Sequence, residues 1–187
     1  MKVKTLNYQK TLTSSLLQVG LFSLLMAVSA NFRFYLPFTP VPVTLQTLVV
    51  CLSIVFLKQK APLSQLIYLT LGIAGFPVFS GGASGILYLF GPTGGYLFGF
   101  LLSSFLLPPL LLPDSSVVRF FFCFCLLHII VYSLGVLWLC CFFNFTFLNS
   151  VRAGALPFIA GDLFKVAIAC LILRQCLNCP VYGRGKR

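Results

Sequence analysis

Acidic residues are almost missing from this sequence. Its 187 residues include no glutamate, and the two aspartates are Asp114 and Asp162. Only 8% of the residues are charged, whereas a soluble domain has about a quarter. The chain is 59% hydrophobic and its mean hydropathy is +1.04. Because so few polar side chains could not cover a soluble surface, the composition predicts a polytopic membrane protein.

Groups for metal binding and catalysis are also scarce. His128 is the single histidine, and it lies in an apolar run without an evident partner. Most of the eight cysteines lie in apolar runs too, where cysteine acts as a small buried hydrophobe. Cys176 and Cys179 form a CxxC pair, but no second pair or histidine cluster completes a metal site. We therefore predict no metal, no catalytic residues and no enzyme activity.

Nucleotide and nucleic-acid sites are excluded on similar grounds. The segment 91–95, GPTGG, lacks the glycine-lysine-serine/threonine ending of a phosphate loop. Its glycines fit a tight turn into a helix, with close backbone approach to a ligand or another helix. The net charge of +11 comes from cations scattered between apolar segments. Nucleic-acid binding requires a basic patch on one soluble face, so no nucleic-acid partner is predicted.

Six apolar segments predict an all-α bundle of six transmembrane helices. A single integral membrane domain then covers 1–187, with basic tails at 1–11 and 176–187. The segments at 44–57 and 61–75 are short for full crossings, but the basic break between them favours two crossings over one continuous helix. The predicted spans are 12–30, 44–57, 61–75, 93–112, 117–143 and 156–175.

The cations predict the orientation of this bundle. If the N-terminus is cytoplasmic, ten cations lie in inner segments and two, Arg33 and Arg152, in outer ones; Lys165 within a span completes the thirteen. The positive-inside rule then places both termini in the cytoplasm of a cell-membrane protein. The inner cations are Lys2, Lys4, Lys10, Lys58, Lys60, Arg119, Arg174, Arg184, Lys186 and Arg187.

The predicted outer loops, 31–43, 76–92 and 144–155, are longer than the inner ones and rich in turn residues, with prolines in 31–43 and glycines in 76–92. Such a rim suits a lid or a binding site on the outer face. The alternative is that these segments are ordinary connectors between helices, although connectors are usually shorter.

Asp162 and Lys165 are the candidate binding residues. They lie three residues apart in a predicted span, so they share one face of the helix. Charges that faced lipid would each cost several kcal/mol, so both must face the bundle interior, a pocket or each other. A carboxylate and an ammonium together fit a small polar ligand. The alternative is a pair that only joins helices.

Small residues at three- and four-residue steps mark one face of the first span. Gly20, Ser23 and Ala27 include a small-xxx-small pattern typical of close helix packing. The stripe either packs within the chain or docks another membrane subunit.

Four segments together resemble the BioY family, the biotin-specific substrate-binding (S) components of energy-coupling-factor (ECF) transporters. They are PVPVTLQTLVV (40–50), LSQLIYLTLGIAGFPVFSGGASG (63–85), YLFGPTGGYLFGF (88–100) and GDLFKVAIA (161–169). The GPTGGYL and GDLFK blocks are the most specific of these. The likeness covers residues from about 20 to 175.

The resemblance implies a six-helix S component that captures biotin from the extracellular side and delivers it inward. Asp162 and Lys165 would then anchor the ureido ring. Biotin's bicycle and tail would lie near Phe38, Gly82, Tyr88 and Tyr96. The implied partners are membrane lipid, an ECF transmembrane coupling protein and two cytoplasmic ATPases. The chain itself would need no cofactor, because ATP would be used by the partners alone.

Two other classes of function remain open on the residues alone. An ion-coupled secondary carrier for a small vitamin-like molecule could use Asp162 as a proton relay. No internal repeat is visible, which argues against an inverted-repeat carrier. An intramembrane enzyme would need a serine or cysteine beside a histidine base, and His128 offers no such arrangement in the sequence.

Overall fold

The structure is a computed structural model that describes residues 2–111 and 116–178, with side chains described for 13–111 and 116–175. Asp114 and the predicted tails, with Cys176 and Cys179, lie outside the residues whose side chains are described. The described part of the chain contains seven α-helices, which confirms the predicted all-α class. They are α1 (Lys2–Asn31), α2 (Gln46–Leu57), α3 (Ala61–Ile73), α4 (Gly94–Leu106), α5 (Val117–Phe143), α6 (Phe147–Gly154) and α7 (Leu156–Asn178).

A small β-ribbon follows α1. Strands β1 (Arg33–Phe34) and β2 (Val43–Thr44) pair antiparallel, with Arg33 opposite Thr44. The predicted loop 31–43 is therefore a hairpin whose second strand leads directly into α2.

Helices α2 and α3 fold back on each other. Lys58 has a φ of 52° and interrupts the helix, and Pro62 lies in the first turn of α3. Gln46 Nε2 donates to Tyr68 Oη at 2.9 Å. In one continuous helix these residues would lie about 33 Å apart, so the basic break is a turn between two antiparallel helices, as predicted.

Four helical stretches of the described chain are long and apolar enough to cross a membrane. They are Thr13–Asn31, Gln46–Ile73, Val117–Phe143 and Phe147–Gln175, and Gly94–Leu110 is a shorter apolar stretch. The second stretch is the α2–α3 hairpin, whose helices of 12 and 13 residues are each about 18–20 Å long. The number of crossings therefore stays a prediction.

The predicted end of the fourth span and the predicted connector 144–155 both differ from the structure. The fourth span was predicted to reach residue 112, but α4 ends at Leu106 and a 3₁₀ turn follows at Pro108–Leu110. Proline there cannot donate the backbone hydrogen bond that a continuing helix needs. The loop 144–155 contains α6, because Asn144 ends α5 in a left-handed conformation and Thr146 then caps a new helix.

The core lies where the helices meet. α4 packs most extensively against α5, and α7 packs against both α5 and α2. Fully buried side chains from different helices fill this centre, among them Met26, Ile54, Phe124 and Leu139. The apolar side chains that stay exposed are spread along the helices, as expected for surfaces that face lipid.

Candidate functional site

The two predicted charges lie on the inner face of α7. Asp162 is 5% exposed and Lys165 is 8% exposed. Lys165 Nζ lies 2.7 Å from Asp162 Oδ1. The pair therefore faces the bundle and not the lipid, as its cost in hydrocarbon requires.

The start of α2 surrounds this pair with oxygen atoms. Lys165 Nζ donates to the carbonyl of Thr44 at 2.6 Å and to Thr47 Oγ1 at 3.3 Å. Thr47 Oγ1 in turn donates to Asp162 Oδ1 at 3.0 Å. Each of the three ammonium protons therefore has an acceptor, and α2 is joined to α7 through buried polar contacts.

Helix α5 completes the surroundings of Asp162. Tyr132 donates its hydroxyl proton to Asp162 Oδ2. One turn earlier, His128 Nδ1 lies 2.7 Å from the carbonyl of Phe124, and its Nε2 lies 3.7 Å from Asp162 Oδ2. A carbonyl only accepts, so Nδ1 donates to it and His128 is a core histidine bonded to the backbone. Its Nε2 lies beside the carboxylate without a hydrogen bond.

These residues form one side of a cavity between α2, α4, α5 and α7. The cavity has about 560 Å³ of empty space, which includes open space at its mouth. Polar groups lie among apolar and aromatic walls. The lining residues are Val41, Pro42, Val43, Thr44, Gln46, Thr47, Tyr68, Ser80, Tyr88, Thr93, Tyr96, Leu97, Phe100, Val131, Tyr132, Phe158, Asp162 and Lys165.

The aromatic residues of the cavity are held in place from behind. Tyr96 donates its hydroxyl to the carbonyl of Gly154 at 2.7 Å. A Cβ on Gly135 would lie 2.3 Å from the Tyr96 ring, so the glycine makes room for the tyrosine. Tyr88 stacks on Phe79 with 4.7 Å between ring centroids. Both tyrosines are therefore fixed before any ligand arrives.

The structure brings four of the six predicted binding residues together at the cavity, namely Asp162, Lys165, Tyr88 and Tyr96. Phe38 and Gly82 lie elsewhere. Phe38 is 64% exposed and lines a separate cleft. Gly82 is exposed in a turn with a φ of 73°. Ser80, two residues earlier, lines the cavity instead.

The predicted docking stripe on α1 does not form one outward face. Gly20 is exposed and has open space where a side chain would be, and Ala27 is half-buried. Ser23 is 2% exposed, so it faces the inside of the bundle. Of the three residues, Gly20 alone is placed to contact another subunit.

Sequence reasoning did not select Thr44, Thr47 and Tyr132, which contact the charged pair. Two signals were available for them. Thr44 and Thr47 bracket the polar start of an otherwise apolar helix, and Tyr132 lies four residues after His128, on the same helical face.

Comparisons with known proteins agree with this architecture. A model described as the BioY family matches residues 1–179. A Biotin transporter BioY of Thermotoga maritima is 37% identical over 158 residues, which are 84% of this chain and 92% of that protein. A Probable biotin transporter BioY of Pyrococcus horikoshii is 38% identical over 158 residues, with the same coverage of 84% and 92%.

A solved structure shares the fold. It is a crystal structure of the S-component for biotin from an ECF-type ABC transporter, with a TM-score of 0.84 and 26% sequence identity. The match covers 92% of this chain and 94% of that chain. The helices described above therefore correspond to those of the solved protein over nearly its whole length.

Proposed function

Because the chain belongs to the BioY family, we propose that it is a membrane subunit that binds biotin and carries it inward. The observation that carries this proposal is the buried Asp162–Lys165 pair in the wall of a small-molecule cavity. A pair that served only to join helices would not need to face a cavity. The likeness to relatives that are named biotin transporters supports the choice of ligand.

The carboxylate can accept from the ureido ring of biotin, which carries two N–H donors and one carbonyl. Asp162 Oδ1 already accepts from Lys165 and Thr47, whereas Oδ2 accepts from Tyr132 alone. Each carboxylate oxygen offers about two lone-pair sites. One acceptor site on Oδ2 is therefore left for a ligand N–H.

The ammonium of Lys165 can donate a hydrogen bond to the ureido carbonyl of biotin. All three protons of Lys165 are in use, but the 3.3 Å contact with Thr47 is the longest of its hydrogen bonds. A ligand carbonyl can replace Thr47 at little cost, because the number of hydrogen bonds stays the same. Thr47 Oγ1 would keep its bond to Asp162.

The remaining walls suit the apolar parts of biotin. Phe100, Phe158 and Leu97 are buried and face the same cavity. Burial of apolar ligand surface against them contributes about 25 cal/mol per Å². The polar end fixes the position of the ligand, and the apolar walls supply contact area.

For transport, we propose that biotin enters from outside and that loops 31–43 and 76–92 close over it. The bundle then reorients against an ECF transmembrane coupling protein, driven by two cytoplasmic ATPases, and releases biotin inside. Both termini would lie in the cytoplasm of a cell membrane, in line with ten inner and two outer cations. The likeness to a solved S-component of an ECF-type ABC transporter supports this assignment.

Titration calorimetry of the detergent-solubilised protein with biotin tests the binding step. We expect biotin to bind, and Asp162→Asn or Lys165→Ala to weaken binding at least tenfold, or about 1.4 kcal/mol. Lys60→Ala, at the exposed α2–α3 turn, is the control and should bind like the wild type. Wild-type affinity in both site variants would remove the pair from the binding site.

A further inference from the structure

Two hydroxyl groups in the cavity wall have no hydrogen-bond partner within the described chain. They are Ser80 Oγ and Thr93 Oγ1, which are both buried atoms. Ser80 as a whole is 7% exposed. A buried polar group without a partner is costly and therefore needs an explanation, and contact with a ligand is one for a group in a cavity wall. Both residues lie between α3 and α4, apart from the elements that hold the charged pair.

Thr93 stands at the N-terminus of α4, a helix of 13 residues, and its side chain makes no capping hydrogen bond. The start of a helix favours negative charge because its first N–H groups point outward. The Thr93 hydroxyl is therefore free to donate a hydrogen bond to a ligand group at this helix end.

Close contacts hold the first turn of α4 in place. A Cβ on Gly94 would lie 1.9 Å from the carbonyl oxygen of Leu89, and a Cβ on Gly95 would lie 2.4 Å from Trp138 Cβ. Trp138 Nε1 also donates to the carbonyl of Gly91 at 3.0 Å. These contacts fix the first turn of α4 and cover its two glycines, and Gly94 N donates to the carbonyl of Gly91 at 3.0 Å. The residues at this end of α4 that line the cavity are Thr93, Tyr96 and Leu97.

We propose that Ser80, Thr93 and the first turn of α4 form a subsite for the carboxylate of the ligand. This inference rests on the proposed function, because it assigns the two ends of biotin to two polar regions. The ureido ring lies at Asp162 and Lys165, and the tail carboxylate lies at α4. The reverse orientation would bring the ligand carboxylate to Asp162, where two negative charges would repel each other.

The test compares biotin with biotin methyl ester, which has the same ring and tail but no charge. Binding is measured by calorimetry for the wild type, Ser80→Ala and Thr93→Val. Ser103→Ala is the matched control, because Ser103 is a buried serine of α4 whose hydroxyl also lacks a partner but does not line this cavity. Thr93→Ser restores the hydroxyl without the methyl group.

We expect the wild type to prefer biotin to its ester by about tenfold or more, or about 1.4 kcal/mol. Ser80→Ala and Thr93→Val should each weaken biotin about fivefold to tenfold and weaken the ester by less, because its neutral carbonyl is a poorer acceptor than a carboxylate; retained ester binding also shows that the variants are folded. Thr93→Ser and Ser103→Ala should bind both ligands like the wild type.

Three results would overturn the subsite. Equal wild-type affinity for biotin and its ester would remove the carboxylate from any polar subsite and leave the proposed function intact. Variants that weaken both ligands equally would show that the hydroxyls support packing alone. If the wild type binds neither ligand, the proposed function fails and the subsite fails with it.

Discussion

Neutralising the buried pair separates its role in folding from its role in binding. Lys165→Met leaves the Asp162 carboxylate in the bundle without its cation, and Asp162→Asn leaves the ammonium without its anion. Because both residues are at most 8% exposed, solvent cannot compensate for the loss. Breaking a buried pair in this way costs about 3–5 kcal/mol.

The double variant Asp162→Asn/Lys165→Met should recover most of that stability. It leaves no buried charge at either position, and replacing a whole buried pair by uncharged side chains is often neutral. For a chain of this length, a loss of about 3–5 kcal/mol lowers the Tm by about 6–20 °C. We therefore expect both single variants to melt about 6–20 °C below the wild type, and the double variant to melt close to it.

Biotin binding should follow a different pattern. The double variant has lost both the carboxylate and the ammonium, so it should bind at least tenfold more weakly, or about 1.4 kcal/mol, although it is stable. Thermal unfolding in detergent and calorimetry on the same samples provide the two readouts. Additive losses of stability in the double variant would show that the two charges do not interact. A stable double variant with wild-type affinity would refute the binding role.

Three further predictions concern the scaffold and the energy source. Gly95→Ala should destabilise the fold, because the new Cβ would lie 2.4 Å from Trp138 Cβ, whereas Gly20→Ala, with nothing within 4 Å, should not; thermal unfolding compares them. Gln46→Met should lower the free energy of unfolding by about 1 kcal/mol through loss of the hydrogen bond to Tyr68, and an unchanged midpoint of denaturation would contradict this. Biotin uptake by cells should continue when a protonophore is added and ATP is maintained, and loss of uptake there would favour an ion-coupled carrier.

The helices could be predicted wherever local signals mark their ends. α5 begins at Val117 and ends at Phe143, as predicted, and Ser116 and Asn144 at its ends have side-chain and backbone geometries typical of caps. α6 was missed because its eight residues lie in a polar loop and are too few for a membrane-spanning pattern. Short helices of this kind depend on tertiary contacts more than on their own sequence.

The candidate site was only half predictable, for a related reason. The charges of Asp162 and Lys165 stand out in an apolar chain whatever the fold. Thr47 is ordinary in the sequence and becomes important because folding brings it to Asp162 across 115 residues. Phe38 was expected at the site from the family resemblance, yet it lines another cleft, with Asn149 and Arg152. Composition identifies a binding face, but side-chain directions depend on contacts that are distant in sequence.

The bond between Lys165 and the Thr44 carbonyl has a mechanical consequence. Thr44 ends the β-ribbon and lines the cavity, so one ammonium group contacts both the Asp162 carboxylate and the ribbon. A ligand that draws this ammonium toward itself would also pull on the β-ribbon. Ligand binding in the cavity and movement of the β-ribbon would then be coupled through Lys165.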